Sequence, residues 1–554
     1  MLRRPSAAAR RAPLALALLL GCVPGGSVPG FTAAAQAAET TRVPRPAVPS
    51  TAAPGPGAGT GAPASARSAA PGGTRLVVLL VVDQLRADYL DRLEPRFGPD
   101  GFRRLIRQGA RFTECAYPYA LTETGPGHAT LATGTTPDRH GIVSNDWLDP
   151  ATKRIVAAVD DADFPLVGAA GTGVSPRRLM VDTIGDSLRL ATRGAAKVWS
   201  VAGKDRSAVF AAGRGASGAI WYDINSGLFV SSRWYMTSLP AWAERLNAER
   251  PSDRLLKETG SKDFDFLRGT PQFHDLMFEA ARRMVESEGL GDDSIPDLLV
   301  VGLSGVDILG HQFGPYDEKV ERLVVRLDAQ IGAFLTWLDG RIGAGRIVVA
   351  LSADHGCGPT EEQARAAGLR PERIDRRRLA EAMRQALAVR AGSHPAPRLY
   401  DDGPLDLWFD AGELGKAGLT PDEAADAAGQ AALEVPGIYG YVTGDGRTSV
   451  EPALAETFRL SRFPGRTPDL LLIPGLYAVD PDGSAATHGT PWSYDRRVPL
   501  LLAGAPFRAE VDTTPCSPAD LAPTIAAALR IPPPAGASGH ILASSLARAG
   551  MNRR

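Results

Sequence analysis

The chain has 554 residues, of which 44% are hydrophobic and 22% charged, so it is long and apolar enough to be a soluble globular protein with a large core. Its formal net charge of -1 gives no reason to expect a nucleic-acid partner. The four cysteines, at positions 22, 115, 357 and 516, show no CxxC spacing, which predicts neither a cysteine zinc site nor a disulfide scaffold.

Residues 1–37 are predicted to be an export signal. Two arginine pairs stand ahead of the apolar run LALALLLG, which is too short to span a bilayer. Two processing routes stay open: cleavage at a small-residue site around Ala35 to Ala37, or lipid attachment at Cys22 as a membrane anchor. We therefore expect an exported, periplasmic protein that is lipid-anchored or secreted.

Residues 38–73 consist mostly of Ala, Pro, Gly, Thr and Ser and show no apolar period. Because such a segment has almost no large side chains to bury, it is predicted to be a disordered tether. The folded domain is predicted to span residues 74–550.

Several runs that are apolar on both faces predict the strands of a buried parallel sheet. These runs are residues 75–83, 197–203, 297–303, 346–352, 469–474 and 498–503. Helical patterns lie between them, most clearly at 317–338 and 518–529. Strands that alternate with helices predict an α/β fold with a doubly wound, mostly parallel sheet, whose ligands bind beyond the carboxyl ends of the strands.

Three intervals, 149–195, 220–294 and 369–464, fit this alternation less well. The third carries short apolar runs at 405–409 and 438–443 that are typical of strands. We predict that the three intervals are insertions that form a cap or subdomain over the strand ends.

The stretch TETGPGHATLATG places the hydroxyl of Thr124 before a small-residue helical segment, where a helix N-terminus favours anions. Thr124 is the candidate nucleophile. A threonine hydroxyl is almost wholly protonated at neutral pH, so it needs an adjacent base or a metal ion to become an alkoxide.

The segment GLSGVDILGH carries Asp307 and His311, four positions apart. That spacing lets a carboxylate and an imidazole reach one ion from a single helical turn, and the pair suits zinc. The alternative is a surface ion pair on a helix. The glycines that crowd the segment disfavour it, because they would make a poor ordinary helix.

The next apolar run ends in LSADHGCG, where Asp354 and His355 are adjacent. Neighbours on a strand point to opposite faces, so both reach one ion only if the chain turns, which Gly356 allows. Cys357 beside them is predicted to be a buried packing thiol rather than a ligand.

Asp83 ends the first run, and His488 lies in a loop shortly before the last one. Taken alone, such an aspartate is more often a helix cap and such a histidine is more often exposed to solvent. Together with the other candidates they complete two ligand sets for two zinc ions about 4 Å apart, the arrangement used for displacement at phosphorus. The sets are Asp307, His311 and His488 for one ion, and Asp83, Asp354, His355 and the Thr124 oxygen for the other.

Aspartate and histidine sets accept several divalent ions, so the identity of the metal stays open. The remaining histidines are predicted to be structural or at the surface. Among them, His128 is the best candidate for a supporting role next to the site.

The ordered motifs VVDQLRADYL, TETGPGHATLATG, GIVSNDW, GKDRSAVF, GLSGVDILGH, ADHGCG and THGTPW resemble the alkaline phosphatase superfamily over nearly the whole folded region. The chain is most similar to bacterial periplasmic phosphomonoesterases with a threonine nucleophile and a Lys-x-Arg pair. This resemblance implies a di-zinc site made by the two ligand sets and a phosphorylated Thr124. It also implies that Asn145, Lys204 and Arg206 bind the non-bridging phosphate oxygens.

The residues themselves support the cationic pair. Lys204 and Arg206 follow the run at 197–203 and share one side if the chain stays extended, with Asp205 pointing away or orienting a partner. A monoester dianion carries one more negative charge than a diester, so this pair favours monoesters. The alternative is a solvated charged turn. No ligand set for a third, magnesium, ion is evident, and the charge of Lys204 can replace it.

The sequence therefore predicts a di-zinc phosphomonoesterase that acts on small phosphate esters. A stretch C-x-P-x-R is absent, which disfavours a sulfatase. Two alternatives stay open: a nucleotide pyrophosphatase or phosphodiesterase of the same fold, and a cell-surface binding protein without catalysis. The physiological substrate and the oligomeric state are left undetermined.

Overall fold

The apolar runs of the sequence form strands that alternate with helices. The computed structural model describes residues 73–401, 405–479 and 484–547. Their strands are β1 (Leu76–Val82), β2 (Gly109–Phe112), β3 (Asp146–Asp149), β4 (Arg154–Ala157), β5 (Leu166–Val167), β6 (Val198–Ala202), β7 (Gly218–Asp223), β8 (Leu228–Ser232), β9 (Asp297–Leu303), β10 (Ile347–Ser352), β11 (Leu399–Asp401), β12 (Asp406–Phe409), β13 (Ile438–Thr443), β14 (Leu470–Pro474), β15 (Leu500–Ala503) and β16 (Glu510–Asp512).

The helices differ widely in length, from single turns to the long α12. They are α1 (Tyr89–Arg92), α2 (Phe102–Gln108), α3 (Thr124–Thr133), α4 (Pro137–His140), α5 (Ile184–Ala191), α6 (Asp205–Ala212), α7 (Ala241–Ala248), α8 (Pro251–Thr259), α9 (Phe264–Leu267), α10 (Pro271–Glu288), α11 (Gly305–Phe313), α12 (Glu318–Ile342), α13 (Glu361–Ala366), α14 (Arg376–Ala391), α15 (Ala411–Ala417), α16 (Pro421–Ala432), α17 (Pro452–Leu460), α18 (Ser493–Arg496) and α19 (Leu521–Leu529).

The predicted export signal, with Cys22, and residues 38–72 of the predicted tether lie outside the described residues. The described residues all belong to one unit, Ala69–Arg554. Within them, no helix combines the length and the apolar character that crossing a membrane requires.

The main sheet has ten strands in the order β16-β2-β15-β10-β1-β9-β6-β7-β8-β5. The central strands β10, β1, β9, β6 and β7 are parallel, whereas β15, β8 and β5 pair antiparallel with their neighbours. Every residue of β1 is buried, as expected for a strand covered on both faces. The predicted α/β fold is confirmed as a large mixed sheet flanked by helices.

The predicted strand at 498–503 exists as β15, but it runs antiparallel to β10, with Leu500 opposite Ser352. The start of β15 therefore lies beside the carboxyl end of β10. Apolar character predicts burial but not direction, because both directions bury the same side chains.

The predicted strand at 469–474 is β14, and its expected place in the main sheet is wrong. It lies in a second sheet, whose strands follow the order β11-β12-β14-β13. The residues of β14 are apolar on both faces because Leu470 and Leu472 belong to one buried cluster while Leu471 and Ile473 belong to another. Burial on both faces therefore does not specify which sheet a strand joins.

The three intervals predicted as insertions have different places in the fold. Interval 220–294 begins inside β7 and contains β8, so its first part extends the main sheet rather than capping it. Interval 149–195 contributes the hairpin strand β4 and the edge strand β5, and interval 369–464 contains β11 to β13 with the helices α14 to α17.

Candidate metal centre and phosphate site

The site lies where four central strands end side by side. Val82 at the end of β1 is opposite Leu303 of β9, and Ala202 of β6 is opposite Gly302 of β9. The carboxyl ends of β10, β1, β9 and β6 are therefore level. The residues that follow these strands are brought to one edge of the sheet, as the fold class predicts.

Asp307 and His311 lie one turn apart on α11, and His311 Nε2 is 3.1 Å from Asp307 Oδ1. The expectation that glycines would spoil this helix is wrong, because α11 is a regular helix. Its glycines allow close packing instead. A Cβ at Gly310 would lie 1.7 Å from Gln84 Oε1, and one at Gly305 would lie 2.4 Å from His274 Nε2.

Asp354 and His355 lie just beyond β10, after Ala353, and are fully buried. The chain turns here without a left-handed residue, since the φ of Gly356 is not positive. Instead, a Cβ at Gly356 would lie 2.1 Å from the carbonyl oxygen of Tyr494. The glycine is needed because two backbone segments meet there.

His488 is brought to the site by the direction of β15. The loop that carries it runs through α18 into the start of β15, which lies beside the end of β10. The ring of His488 stacks on that of His355, with 3.5 Å between the ring centroids.

The predicted ligands converge as two clusters in the described residues. In each cluster, the candidate ligand atoms all lie within 4.8 Å of one another. The clusters are Asp307, His311 and His488, and Asp83, Asp354 and His355. This partition is the one expected from the sequence.

The three histidines of the clusters present the same ring nitrogen to the site. The Nδ1 atom of His311 lies 2.9 Å from the carbonyl oxygen of Ala486, and that of His488 lies 2.9 Å from the carbonyl oxygen of Thr122. The Nδ1 atom of His355 lies 3.0 Å from the carbonyl oxygen of Gly356. Since a carbonyl only accepts, each Nδ1 carries a proton, and in the neutral ring Nε2 then has the lone pair that can bind a metal ion.

The electrostatics of the site fit bound cations. Burial, with the nearby carboxylates of Asp307 and Asp354, raises the pKa of Asp83 to about 6. Asp83 Oδ1 and His355 Nε2 have no hydrogen-bond partner among the described residues. Buried polar atoms normally have partners, so these two atoms are suited to bind a metal ion. The donor set of carboxylates and imidazoles suits zinc.

Thr124 is the first residue of α3 and is buried, as predicted for a nucleophile at a helix N-terminus. The helix is held close to the end of β10 by Gly127, where a Cβ would lie 2.3 Å from the carbonyl oxygen of Asp354. His128, one turn into α3, has Nδ1 2.9 Å from the Thr124 carbonyl and 3.2 Å from Asp354 Oδ2. Its place beside a predicted ligand agrees with the supporting role expected for it.

Lys204 lies between the two ligand clusters. Its Nζ is 2.6 Å from Asp83 Oδ2, 2.7 Å from Asp307 Oδ2 and 3.2 Å from Thr124 Oγ1. Although burial alone would raise the pKa of Asp307, Lys204 and then His311 hold it well below its ordinary value. The alternative of a solvated charged turn is wrong for Lys204, because this residue is only 5% exposed.

The chain from Lys204 to Arg206 is not extended, because α6 begins at Asp205. An extended chain therefore does not place the two side chains on one side, as the sequence had suggested. Asp205 Oδ1 accepts a hydrogen bond from the Arg206 amide at 2.7 Å and lies 3.7 Å from Arg206 Nη1. Arg206 is half-buried, and its Nε has no hydrogen-bond partner among the described residues.

Asn145 stands just before β3 and beside the start of α3. Its Oδ1 accepts a hydrogen bond from the Gly125 backbone amide at 2.8 Å, and the backbone amide of Asn145 donates to Glu123 Oε2 at 2.7 Å. Glu123, which also accepts from Ser144 Oγ at 3.0 Å, was not predicted as a site residue. Its position next to Thr124 is the sequence feature that could have indicated a role at the site.

Gln84 is a second residue that sequence reasoning missed. Its backbone amide donates to Asp354 Oδ1 at 3.1 Å, and its side-chain Nε2 donates to Asp307 Oδ1 at 2.8 Å. It therefore bonds to one ligand of each cluster. Its φ of 64° is uncommon for a residue with a side chain, and no sequence pattern predicts this backbone conformation.

Asp495, also missed, ties the His488 loop to the end of β10. Its carboxylate accepts from the Thr490 amide at 2.9 Å and from Thr490 Oγ1 at 2.5 Å, and its carbonyl accepts from the Gly356 amide at 2.7 Å. Burial raises the pKa of Asp495 to about 7.

Comparison with known proteins gives one family match. The family model described as type I phosphodiesterase / nucleotide pyrophosphatase matches residues 77–476. The alkaline phosphatase PhoV of Synechococcus elongatus is 36% identical over 323 residues, which cover 51% of this chain and 59% of PhoV. This chain thus spans less than two thirds of the length of PhoV.

Two further relatives are similar over most of the chain. A protein of Myroides odoratus named calcium-transporting ATPase is 30% identical over 515 residues, covering 84% of this chain and 93% of that protein. The alkaline phosphatase PafA of Elizabethkingia meningoseptica is 29% identical over 527 residues, covering 86% of this chain and 95% of PafA. The crystal structure of PafA matches with a TM-score of 0.80 and 27% identity over 86% of this chain and 99% of that chain.

Proposed function

Because this chain belongs to the type I phosphodiesterase and nucleotide pyrophosphatase family, within the alkaline phosphatase superfamily, we propose that it is a di-zinc phosphatase acting on small phosphate monoesters. Its relatives and its fold make it a metal-dependent phosphoesterase. The single observation that carries the monoester assignment is the position of Lys204, whose ammonium group lies 3.2 Å from Thr124 Oγ1.

Thr124 acts as the nucleophile in the proposed reaction. Its hydroxyl loses a proton and Oγ1 forms a bond to phosphorus while the bond from phosphorus to the ester oxygen breaks. The released alkoxide takes up a proton, so the proton count is unchanged. Water then attacks the phosphothreonine, which releases inorganic phosphate and restores the hydroxyl. The zinc ions, when bound, supply Lewis acidity at the attacking and leaving oxygens.

The chain's own charges favour this chemistry. The Lys204 ammonium group beside Thr124 Oγ1 stabilises a negative charge on that oxygen and on a phosphate next to it. Arg206 offers Nε, which has no partner among the described residues, as a donor for a phosphate oxygen. Asn145 Oδ1 already accepts from the Gly125 amide, so the side-chain NH2 is oriented as a third donor.

Removal of the Thr124 oxygen tests the nucleophile. We expect Thr124→Ala to lower turnover of p-nitrophenyl phosphate by a factor on the order of 10³ or more, while Thr124→Ser keeps a measurable rate because it retains a hydroxyl. Zinc content by elemental analysis shows whether both proteins hold the same metal. Near-normal turnover by zinc-loaded Thr124→Ala would overturn the phosphothreonine step.

Removal of the Lys204 charge separates a monoesterase from a phosphodiesterase. We expect Lys204→Ala to lower kcat/KM for p-nitrophenyl phosphate at least about 10-fold more than for bis(p-nitrophenyl) phosphate, because only the monoester carries the second charge. Lys197→Ala is the matched control, since Lys197 precedes the opposite end of β6 and bonds to backbone carbonyls there. Equal losses on both substrates would favour the phosphodiesterase alternative.

A wider substrate panel defines the natural ester. It should include ATP, whose terminal phosphoryl group presents the same kind of charged oxygens and whose hydrolysis the name of the Myroides relative implies for that protein. A purified protein that holds no zinc and turns over none of the panel would instead support the non-catalytic alternative. Export of the chain is a further part of the proposal. Mass spectrometry of the mature N-terminus distinguishes cleavage around Ala35 to Ala37 from lipid attachment at Cys22.

A further inference from the structure

Two cysteines that are distant in sequence lie opposite each other at one side of the main sheet. The parallel pairing of β16 with β2 continues past both strands as a bridge between Cys115 and Cys516. The Ala116 amide donates to the Cys516 carbonyl at 3.0 Å, and the Cys516 amide donates to the Glu114 carbonyl at 3.1 Å. Residues opposite each other in adjacent strands point their side chains to the same face, so the two thiols are neighbours.

The spacing of such a pair fits a covalent bond. Adjacent strands lie about 4.8 Å apart, and the Cα atoms joined by a disulfide are usually about 4.4 to 6.8 Å apart. The backbone of Cys115 is held on its other side as well, because its carbonyl accepts a hydrogen bond from the Val498 amide at 3.1 Å. Little rearrangement is therefore needed to join the sulfurs.

We propose that Cys115 and Cys516 form a disulfide cross-link when the folded protein meets a disulfide oxidant, a property separate from the proposed hydrolytic function. The thiolate of Cys516 attacks one sulfur of the oxidant and displaces a thiolate. The thiolate of Cys115 then attacks the mixed disulfide and displaces the second thiolate. The two protein protons end on the two released thiols, so the protein loses two hydrogens and the oxidant gains them.

Accessibility sets this order of attack. Cys516 is partly exposed, whereas Cys115 is fully buried. Burial first, and then the adjacent Cys516 thiol, raise the pKa of Cys115. A buried thiol with a raised pKa is a poor first nucleophile but can resolve a mixed disulfide formed beside it.

The cross-link would close a ring of about 400 residues, from Cys115 to Cys516, that includes Thr124 and His488. It would also tie the edge strand β16 and the turn that leads into α19 to the interior strand β2. Cys357 differs from this pair. Its sulfur contacts the carbonyl oxygens of Gly358 and Thr487, and no other cysteine within the described ranges lies beside it.

Peptide mapping of the full chain tests the bond directly. The protein is incubated with oxidised glutathione, alkylated without reduction and digested with trypsin. We expect residues 112–139 and 509–530 to appear as one joined species, two hydrogens lighter than the separate peptides, that disappears on reduction. The peptide that contains Cys357 should be recovered in the alkylated form. Recovery of the two peptides only as free thiols or as separate glutathione adducts would overturn the proposal.

A stability measurement gives a second readout. We expect a phosphine reductant, chosen because dithiothreitol binds zinc, to lower the thermal unfolding midpoint of the oxidised protein by several degrees. Cys357→Ala should keep this response, and the double variant Cys115→Ala/Cys516→Ala should lose it. A response of equal size in the double variant would contradict the proposal. If the double variant fails to fold, the peptide map of the wild-type chain alone decides.

Discussion

The two ligand clusters are joined by Gln84, a residue that is not itself a ligand. Its left-handed backbone costs about 1 to 3 kcal/mol. Each hydrogen bond to a charged partner contributes about 1.5 to 3 kcal/mol, and Gln84 makes one to Asp354 and one to Asp307. The two bonds therefore outweigh the strain. Hydrogen bonds to ligating carboxylates orient them, so Gln84 is expected to act on metal binding rather than on substrate.

Shortening this side chain tests its role. Asn tolerates a left-handed backbone almost as well as any residue with a side chain, but its amide is one methylene too short to reach Asp307. We expect Gln84→Asn to weaken zinc binding by about 10- to 100-fold, measured by competition with a chromophoric chelator. Gln385→Ala, which removes an exposed amide that bonds to Glu381 within α14, is the control. Unchanged zinc affinity in Gln84→Asn would refute the positioning role.

At the scale of elements, close approach of helices to strand ends shapes the site. The first turn of α3 contacts Asp354, two residues beyond β10, and α11 contacts Gln84, two residues beyond β1. Both contacts depend on glycine, since a Cβ at Gly127 or Gly310 would overlap Asp354 or Gln84. Such glycines are spacers between elements, and their backbone conformation is ordinary for a helix.

The spacing of α3 can be tested with two alanines in one helix. A Cβ at Gly127 would lie 2.3 Å from the Asp354 carbonyl oxygen, so Gly127→Ala must move α3, which begins at Thr124, and Asp354 apart. We expect kcat/KM for p-nitrophenyl phosphate to fall about 100-fold with zinc in excess. Gly125→Ala, whose nearest neighbour would be Asn145 Oδ1 at 3.3 Å, should lose far less. Similar losses in the two variants would contradict a spacer role for Gly127.

At the scale of the whole molecule, the site connects parts of the chain that pack in different places. Its proposed ligands follow β1, β9 and β10 or precede β15, and Ala120, in the loop before α3, belongs to the same buried cluster as Leu471 and Ile473 of the second sheet. Three buried carboxylates meet there with Lys204 as the cation between the clusters. Without further positive charge, burial of these carboxylates opposes folding.

Metal ions should therefore stabilise the whole domain. A ligand that binds only the folded state adds about 2.7 kcal/mol to the free energy of unfolding at 100 times its dissociation constant. We expect the thermal unfolding midpoint to fall on treatment with a chelator and to rise again with added zinc. Binding should saturate at two zinc ions per chain by elemental analysis, with magnesium at equal concentration as the control. An unfolding midpoint that does not depend on zinc would argue against these clusters as metal sites.

Much of this molecule follows from local sequence. A strand that is apolar on both faces must be buried, and a carboxylate or histidine just beyond it is carried to the sheet edge, so the places of the proposed ligands Asp83, Asp307 and Asp354 could be predicted from the sequence. The helical start at Thr124 is likewise encoded by neighbouring residues, because helix signals are short-range.

Only the tertiary structure decided which elements lie side by side. The antiparallel direction of β15 brings His488 to the site, and the separate sheet of β14 supports the loop before α3, although the sequence predicts equivalent apolar runs for both strands. Gln84, Glu123 and the Cys115–Cys516 pair owe their places to contacts between distant segments. Hydrophobic pattern determines burial, but strand partners and direction depend on the packing of the whole chain, which no local pattern contains.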